Sequence, residues 1–319
     1  MVQGYQLKEV STTRLLKWAE LPNSTFYYKH REGKPGRKPS THTFNLEGVC
    51  FENRVVVQQI EQVLQQEFCC YGYHMIREDL QENSWIINHK KVYRLMKENH
   101  LLCNHRIQVH GAPRPFVKFR KVAATRPLEY LCMDIKHIHL YAEGRNALLL
   151  TIMDIYSRKV LMHLLRYSIK KGDVLILLSL LLLEYKPAGM TLRSDNGSQF
   201  VAAVVRQYLK SKGVYQEFTH VATPEDNSYI EALHSNLQRE VMDRFELETL
   251  SDAQSTINRY YEWYNEKRRH WALKKRTPQQ LWNLYFNPSP METKNSSYVP
   301  ENEKDLLNQK QKTLQEIRV

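Results

Sequence analysis

The sequence predicts an α/β core with a small basic helical module ahead of it. Between Leu131 and Arg166, short turns separate three apolar runs of strand length, the pattern of an antiparallel meander. Beyond them come a strongly apolar helical stretch, a short β-like run and a second helical stretch. Upstream, His89 to Lys121 holds nine Lys or Arg against one acidic residue, +8 of the formal +12. A length of 319 residues accommodates one sizeable core and one small domain.

Residues 1–31 are expected to hold a short helical segment around Ser24-Thr25-Phe26-Tyr27-Tyr28. Residues 32–44 form a linker. Within it Glu32 to Ser40 is rich in Gly, Pro and charge, and is expected to be extended and mobile. Residues 45–105 form the basic module. Val55 to Phe68 has helical periodicity, and Asn88 to Lys97 makes a helix whose Lys90, Lys91, Arg94 and Lys97 are candidate polyanion contacts. A solvated charged face is the ordinary alternative for such a run. Residues 106–127 form a second, basic linker containing Gly111-Ala112-Pro113-Arg114-Pro115. The core follows over 128–285, and 286–319 is a polar tail with a marginal helix over 301–317 and no assigned function.

Inside the core, Leu131-Cys132-Met133-Asp134-Ile135 is an apolar run with one charge. A carboxylate in a buried strand is costly unless a cation or hydrogen-bond donor compensates it. A turn-rich stretch, Tyr141 to Asn146, leads to the second run, Ala147 to Met153. Asp154-Ile155-Tyr156-Ser157-Arg158 then turns into Lys159 to Arg166. A helix is predicted over Ser168 to Tyr185, capped by Ser168.

Asp195 ends the next β-like run, in Leu192-Arg193-Ser194-Asp195-Asn196-Gly197-Ser198-Gln199-Phe200, ahead of a helix predicted over Ala202 to Lys212. An ordinary turn is the alternative there. One helix is predicted over Asp226 to Asp243, with an apolar stripe of Ile230, Leu233, Leu237 and Val241. Glu231 adjoins that stripe. His234, Ser235 and Gln238 follow it at i+3, i+4 and i+7, polar groups suited to a phosphate backbone.

Asp134, Asp195 and Glu231 are separated by 60 and 35 intervening residues. Among 34 acidic residues, that spacing alone would arise by accident roughly 0.3 times in such a chain, so the local contexts discriminate. Carboxylates gathered from distant segments suit Mg²⁺ or Mn²⁺, hard cations that take oxygen ligands and leave room for phosphate. Two such ions about 4 Å apart can activate an attacking oxygen and stabilise a leaving one.

Residues 128–285 resemble the catalytic core of the DDE transposase and retroviral integrase superfamily, a ribonuclease-H-like fold. They are most similar to the OrfB-type transposase of the insertion-sequence-three family. The likeness rests on Met133-Asp134-Ile135, Asp154 to Arg158, Ser194 to Phe200 and Asn227-Ser228-Tyr229-Ile230-Glu231. Tyr264-Asn265, Arg269-His270, Leu273 and Thr277-Pro278 complete it. Tyr71-Gly72-Tyr73 and Val92 to Asn99 resemble the helix-turn-helix-type module that precedes this core in the family.

The resemblance implies a DNA transposase that nicks donor DNA and joins the freed 3′ hydroxyl to another strand, without a covalent protein intermediate. Asp134, Asp195 and Glu231 would hold two Mg²⁺ ions, with Mn²⁺ as a substitute, and Asp226 is the first replacement candidate for Glu231. It also implies a homo-oligomer acting on element ends and target DNA. An upstream-frame protein is an expected fusion or partner. One departure is that family members commonly carry Lys or Arg seven residues after the catalytic Glu. Gln238 stands there, with Arg239 about 100° further around an ideal helix, so either is the candidate DNA contact.

Composition agrees with a polyanion partner, since a pI near 9.3 favours phosphate neutralisation and counterion release. The longest apolar stretch, Val174 to Leu183, is too short to span a bilayer. Cys50, Cys69, Cys70, Cys103 and Cys132 lack paired metal-ligand spacing and read as reduced thiols of a cytoplasmic, nucleoid-associated bacterial protein. His137 and His139 fall on the strand face opposite Asp134 and read as structural; no zinc is expected. The rival classes are a non-catalytic DNA-binding regulator derived from a transposase, and a ribonuclease H. The latter would bring a fourth core acid and have no need of the basic module.

Overall fold

A computed structural model describes residues 11–29, 39–103, 122–186, 189–220 and 227–287. The chain divides into two compact units, Met1–His42 and Thr43–Val319. The first holds helix α1 (Thr12–Trp18), with Leu15 and Leu16 buried, and one short turn of helix, α2 (Asn23–Phe26). Most of the expected first linker, the Gly111–Pro115 stretch, Asp226 and the tail helix lie outside the described residues.

The second unit begins with β1 (His42–Asn45), β2 (Cys50–Glu52) and helix α3 (Asn53–Leu64). Helix α4 (Tyr73–Glu82), β3 (Trp85–Ile86) and helix α5 (His89–Glu98) follow. The three strands form a small sheet in the order β2-β1-β3, so the basic module is not purely helical. Strands of two to four residues are too short to show alternation in sequence. Helix α5 starts where expected because the Asn88 side chain accepts the Lys91 backbone N–H at 2.8 Å. Val92, Leu95 and Met96 form its buried face.

The core is a five-stranded sheet in the order β6-β5-β4-β7-β8. Strands β4 (Tyr130–Leu140), β5 (Arg145–Asp154) and β6 (Val160–Arg166) make the predicted antiparallel meander. Strands β7 (Thr191–Ser194) and β8 (Tyr215–Phe218) then add parallel to β4. Helix α6 (Lys171–Tyr185) begins three residues after the predicted cap. There the Asp173 carboxylate, rather than Ser168, accepts the Lys170 N–H at 2.8 Å.

The helix predicted from Ala202 is broken into α7 (Ser198–Val201) and α8 (Ala203–Ser211), because Ala202 is extended with ψ 132°. Helix α9 (Ser228–Leu237) gives way to a π-helical segment, Gln238–Met242, instead of running on as one α-helix. Helix α10 (Leu250–Glu266), a 3₁₀ turn (Trp271–Leu273) and helix α11 (Pro278–Phe286) complete the unit. Thr277 caps α11 through the Gln280 N–H, with Pro278 at its first position.

One apolar cluster runs from the basic module into the sheet, joining Ile76 and Leu80 to Ile138, Leu149 and Tyr260. A second fills the other side, around Leu131, Met133, Leu178 and Phe200. Polar bonds lock the module to the core. Tyr71 Oη donates to the Lys267 carbonyl at 2.8 Å and accepts the Arg269 N–H at 2.7 Å. The Arg269 guanidinium pairs with Glu82, and Lys275 Nζ lies 2.6 Å from Glu78. No helix among the described residues is long and apolar enough to cross a membrane.

Candidate active site

The site is built at the junction of the meander and the parallel strands. Strand β4 is central, and its pairing with β7 ends with Met133 opposite Ser194. Asp134 and Asp195 are the residues that follow this last pair, one position further along each segment. The carboxyl edge of parallel strands is where open α/β sheets bind ligands. Asp134 is partly buried, its side chain 21% exposed, and Asp195 is exposed.

The turn after β7 holds Asp195 in place. Its Oδ1 accepts the Gly197 N–H at 2.9 Å, and Asn196 Nδ2 donates to the Thr219 carbonyl at 2.9 Å. A Cβ on Gly197 would sit 3.0 Å from Asp195 Oδ1 and would press closer still on the Gln199 side chain, so a larger residue here would have to displace that side chain. The motif is a turn, as its chemistry allows, and the turn itself orients the carboxylate.

Glu231 is exposed in the first turn of α9, where a carboxylate is favoured by the helix dipole. The Asp154–Arg158 turn anchors that helix. Buried Asp154 accepts the Leu128 N–H through Oδ1 at 2.9 Å, and the Ser157 N–H and hydroxyl through Oδ2 at 2.7 and 2.6 Å. Burial pushes the Asp154 carboxyl above its ordinary range, against the Ser157 and Leu128 hydrogen bonds. Arg158 lies 3.8 Å over the Tyr229 ring, and Tyr229 Oη donates to the Val122 carbonyl at 2.7 Å. Asp154 is thus committed to the turn that seats α9.

Sequence marks His234 only as a polar group suited to phosphate. In the structure it is 7% exposed, and its Nδ1 stands 3.4 Å from Asp134 Oδ2. Its Nε2 is buried without a hydrogen-bond partner. Glu231 lies three residues earlier, on the adjoining position of the same helix face. Helix α9 therefore meets β4 at Asp134 through His234, three residues after Glu231.

Among the described residues, no three His, Cys, Asp or Glu side chains close on one point to hold a metal. By donor chemistry the set fits a hard divalent cation, with a partly buried carboxylate at Asp134, an exposed one at Asp195 and a third exposed one on α9. His137 and His139 are exposed, and His139 Nδ1 lies 3.0 Å from Asn146 Oδ1.

The remaining predicted contacts lie elsewhere. On α5, Lys90 and Lys97 are exposed; Lys91 is half-buried, and burial, then the Arg94 charge, push its pKa down. Arg94 pairs with Glu98 at 3.4 Å. Gln238 Nε2 donates to Asp243 Oδ1 at 3.0 Å. Arg239, 57% exposed, reaches Asn236 at 3.0 Å and Glu240 at 2.7 Å. Glu240, which carries no distinguishing signal in the sequence, is buried against Arg268 at 2.8 Å and the Tyr260 hydroxyl at 3.1 Å. Burial works against its charge, but the Arg268 and Arg239 guanidiniums outweigh that and hold its carboxyl below the usual range.

Family profiles described as integrase core domain match residues 124–224 and 212–278, and one described as HTH-like domain matches 51–108. InsK for insertion sequence element IS150 of Escherichia coli strain K12 is 26% identical over 90% of this chain and 96% of its own length. The transposase for insertion sequence element IS904 of Lactococcus lactis is 25% identical over 72% and 94%. The chain belongs to the integrase-core transposases of insertion sequences. This transposase is a DDE-type enzyme with a ribonuclease-H-like core and an HTH-like module. Among solved structures, the catalytic core domain of BIV integrase covers 49% of the transposase and 93% of itself, at 18% identity and a TM-score of 0.39.

Proposed function

We propose that this transposase nicks donor DNA at element ends and joins the freed 3′ hydroxyl to target DNA, using Asp134, Asp195 and Glu231 as the ligands of two Mg²⁺ ions, with Mn²⁺ as a substitute. The observation that carries this reading is the pairing of β4 with β7 that ends at Met133 and Ser194, one residue before Asp134 and Asp195, with His234 of α9 at 3.4 Å from Asp134. When bound, the ions would activate the attacking oxygen and stabilise the leaving one. Asp134 and Asp195 present acceptor-only oxygens from a rigid strand edge, so little is spent on ordering them. Tyr229 and Arg158 fix the start of α9 and so the place from which Glu231 reaches the site. His234 stands 3.4 Å from the Asp134 carboxylate on the protein side, leaving its outer edge to substrate.

Residues 45–105 serve as the DNA-binding module and 128–285 as the catalytic core in this reading. Lys90 and Lys97, exposed on α5, carry most of the module's phosphate contacts, with Lys91 and Arg94 beside them. Arg239, rather than Gln238, faces the substrate strand near the site, since its guanidinium is the more exposed. The protein acts in the cytoplasm on nucleoid DNA, as a homo-oligomer, with an upstream-frame protein as a fusion or partner.

The test is nicking of duplex DNA carrying the element ends, with and without Mg²⁺. Metal-dependent release of a 3′ hydroxyl at the ends supports the reading. DNA binding without cleavage would identify a regulator, and preferential cleavage of RNA–DNA hybrids would identify a ribonuclease H.

A further inference from the structure

Where the HTH-like module meets the core, a row of rings and cations lies outside the carboxylate site. Trp271 is 63% exposed, in the 3₁₀ turn that follows α10. Lys275 Nζ sits over its ring at 5.4 Å from the centroid, and the His74 ring meets it edge-on at 5.4 Å. His89, the first residue of α5, stacks on His74 at 5.4 Å with 26° between the planes. The Tyr73 ring, 4.2 Å from that of His74, leads to Tyr93, which is 41% exposed on α5.

These rings come from three segments, α4, α5 and the 271–275 turn, held together by the Tyr71 and Arg269 bonds. Trp271 and Tyr93 are exposed while Tyr73 and His74 are half-buried between them. A contiguous aromatic row of this kind marks an interaction site more often than single exposed rings do. Glu78, the acid at this face, is already paired with Lys275 at 2.6 Å and Arg77 at 2.7 Å. Burial, then the charges of His89, Lys275 and Arg77, lower the His74 pKa, with Glu78 opposing. That ring therefore favours its neutral form, which stacks, and the exposed charge at this face is cationic, with Lys90 one position after His89.

We propose that Trp271, with His74 and His89 behind it, is a stacking platform for unpaired nucleotides of DNA, beside the α5 helix that holds the duplex. The proposal rests on the DNA reading above. Stacking on aromatic faces combined with cationic tracking of the backbone is how proteins hold single strands, because every base has a π-face. A duplex interior offers no such face, so the occupant is an unpaired stretch or a melted end. A protein surface would need acidic or apolar groups to match this row, and the cations favour phosphate.

The test compares a blunt duplex with the same duplex carrying a thymidine tail that contains 2-aminopurine, on the full chain. The proposal predicts tighter binding of the tailed DNA and quenching of the 2-aminopurine. Trp271→Ala should lose about tenfold in affinity for the tailed DNA and lose the quenching, while blunt-duplex binding is unchanged. Trp271→Phe should keep most of both effects. Equal affinity of the unaltered chain for the two DNAs, or equal loss on both in Trp271→Ala, overturns the platform. Failure of the unaltered chain to bind either DNA would overturn the DNA reading itself, and the platform with it.

Discussion

Nδ1 of His234 stands 3.4 Å from Oδ2 of Asp134, so helix α9 touches the central strand through a carboxylate of the proposed site. The contact ties two parts of the chain that sequence spacing could only list side by side. Glu231 adjoins His234 on the same helix face, and its position relative to Asp134 follows from this contact. A residue that orients a metal-ligating group from behind commonly changes metal affinity or activity by about 10-fold to 100-fold when it is removed.

His234→Ala should therefore lower nicking about 10-fold to 100-fold and raise the Mg²⁺ concentration needed for half-maximal rate. DNA affinity should be unchanged. The measurement is a metal titration of the nicking rate. A loss of rate with no change in the metal dependence would show that His234 acts only through packing.

Neutralising Lys90 and Lys97 together should lower the slope of log affinity against log salt by about two, because a phosphate without its cationic partner keeps its counterion condensed. Changing Lys91 alone should do less, since it is half-buried beside Arg94. Binding isotherms across a salt series check this. Unchanged slopes would place α5 against something other than DNA.

Acid should destabilise the second unit through His270. Burial, then the Arg268 and Arg158 charges, push its imidazole down to about 2. The unfolded imidazole titrates near 6.5, so below that pH the unfolded chain takes up a proton that the folded chain refuses. The His270 contribution is complete above about pH 6.5 and is lost as pH falls, by up to about 1.4 kcal/mol per unit. His270→Gln should flatten the dependence of the urea midpoint on pH between about 7 and 5. An unaltered slope would assign acid lability to other groups.

The meander was legible because β4, β5 and β6 are long and bounded by turn residues, and the Asp195 strand end because Asp195-Asn196-Gly197 is common turn chemistry after a short apolar run. The small sheet was not legible, since Trp85-Ile86 is two residues long and its partner Phe44-Asn45 lies forty positions earlier. Docking of the basic module was hidden for a related reason: Arg269 and Glu82 are 187 positions apart, and their attraction is invisible to local periodicity. The π-helical segment escaped because its residues suit an α-helix equally well. There, buried Glu240 faces Arg268 and Tyr260, and the Asp243 N–H reaches the Gln238 carbonyl at 2.8 Å in the wide turn. Thr25-Phe26 and Tyr71-Gly72-Tyr73 were recognisable only as pieces of a larger pattern.

The role of Asp154 illustrates the limit of motif reading. In sequence it is one more acid in a core that already offers three. In the structure both of its oxygens are taken by Leu128 and Ser157, which sets the turn carrying Arg158 toward Tyr229. Its chemistry is that of a buried cap, and its effect on the site passes through the seating of α9.

The most direct measurement is strand transfer by Asp134→Asn, Asp195→Asn and Glu231→Gln, each assayed beside its thermal stability and its affinity for end-containing DNA. An amide keeps the shape of each side chain but loses the charge that would hold a divalent ion. Each change should abolish nicking and joining, while stability and DNA affinity stay close to those of the unaltered chain. Strand transfer near the unaltered rate in any one of the three would contradict the ligand assignment.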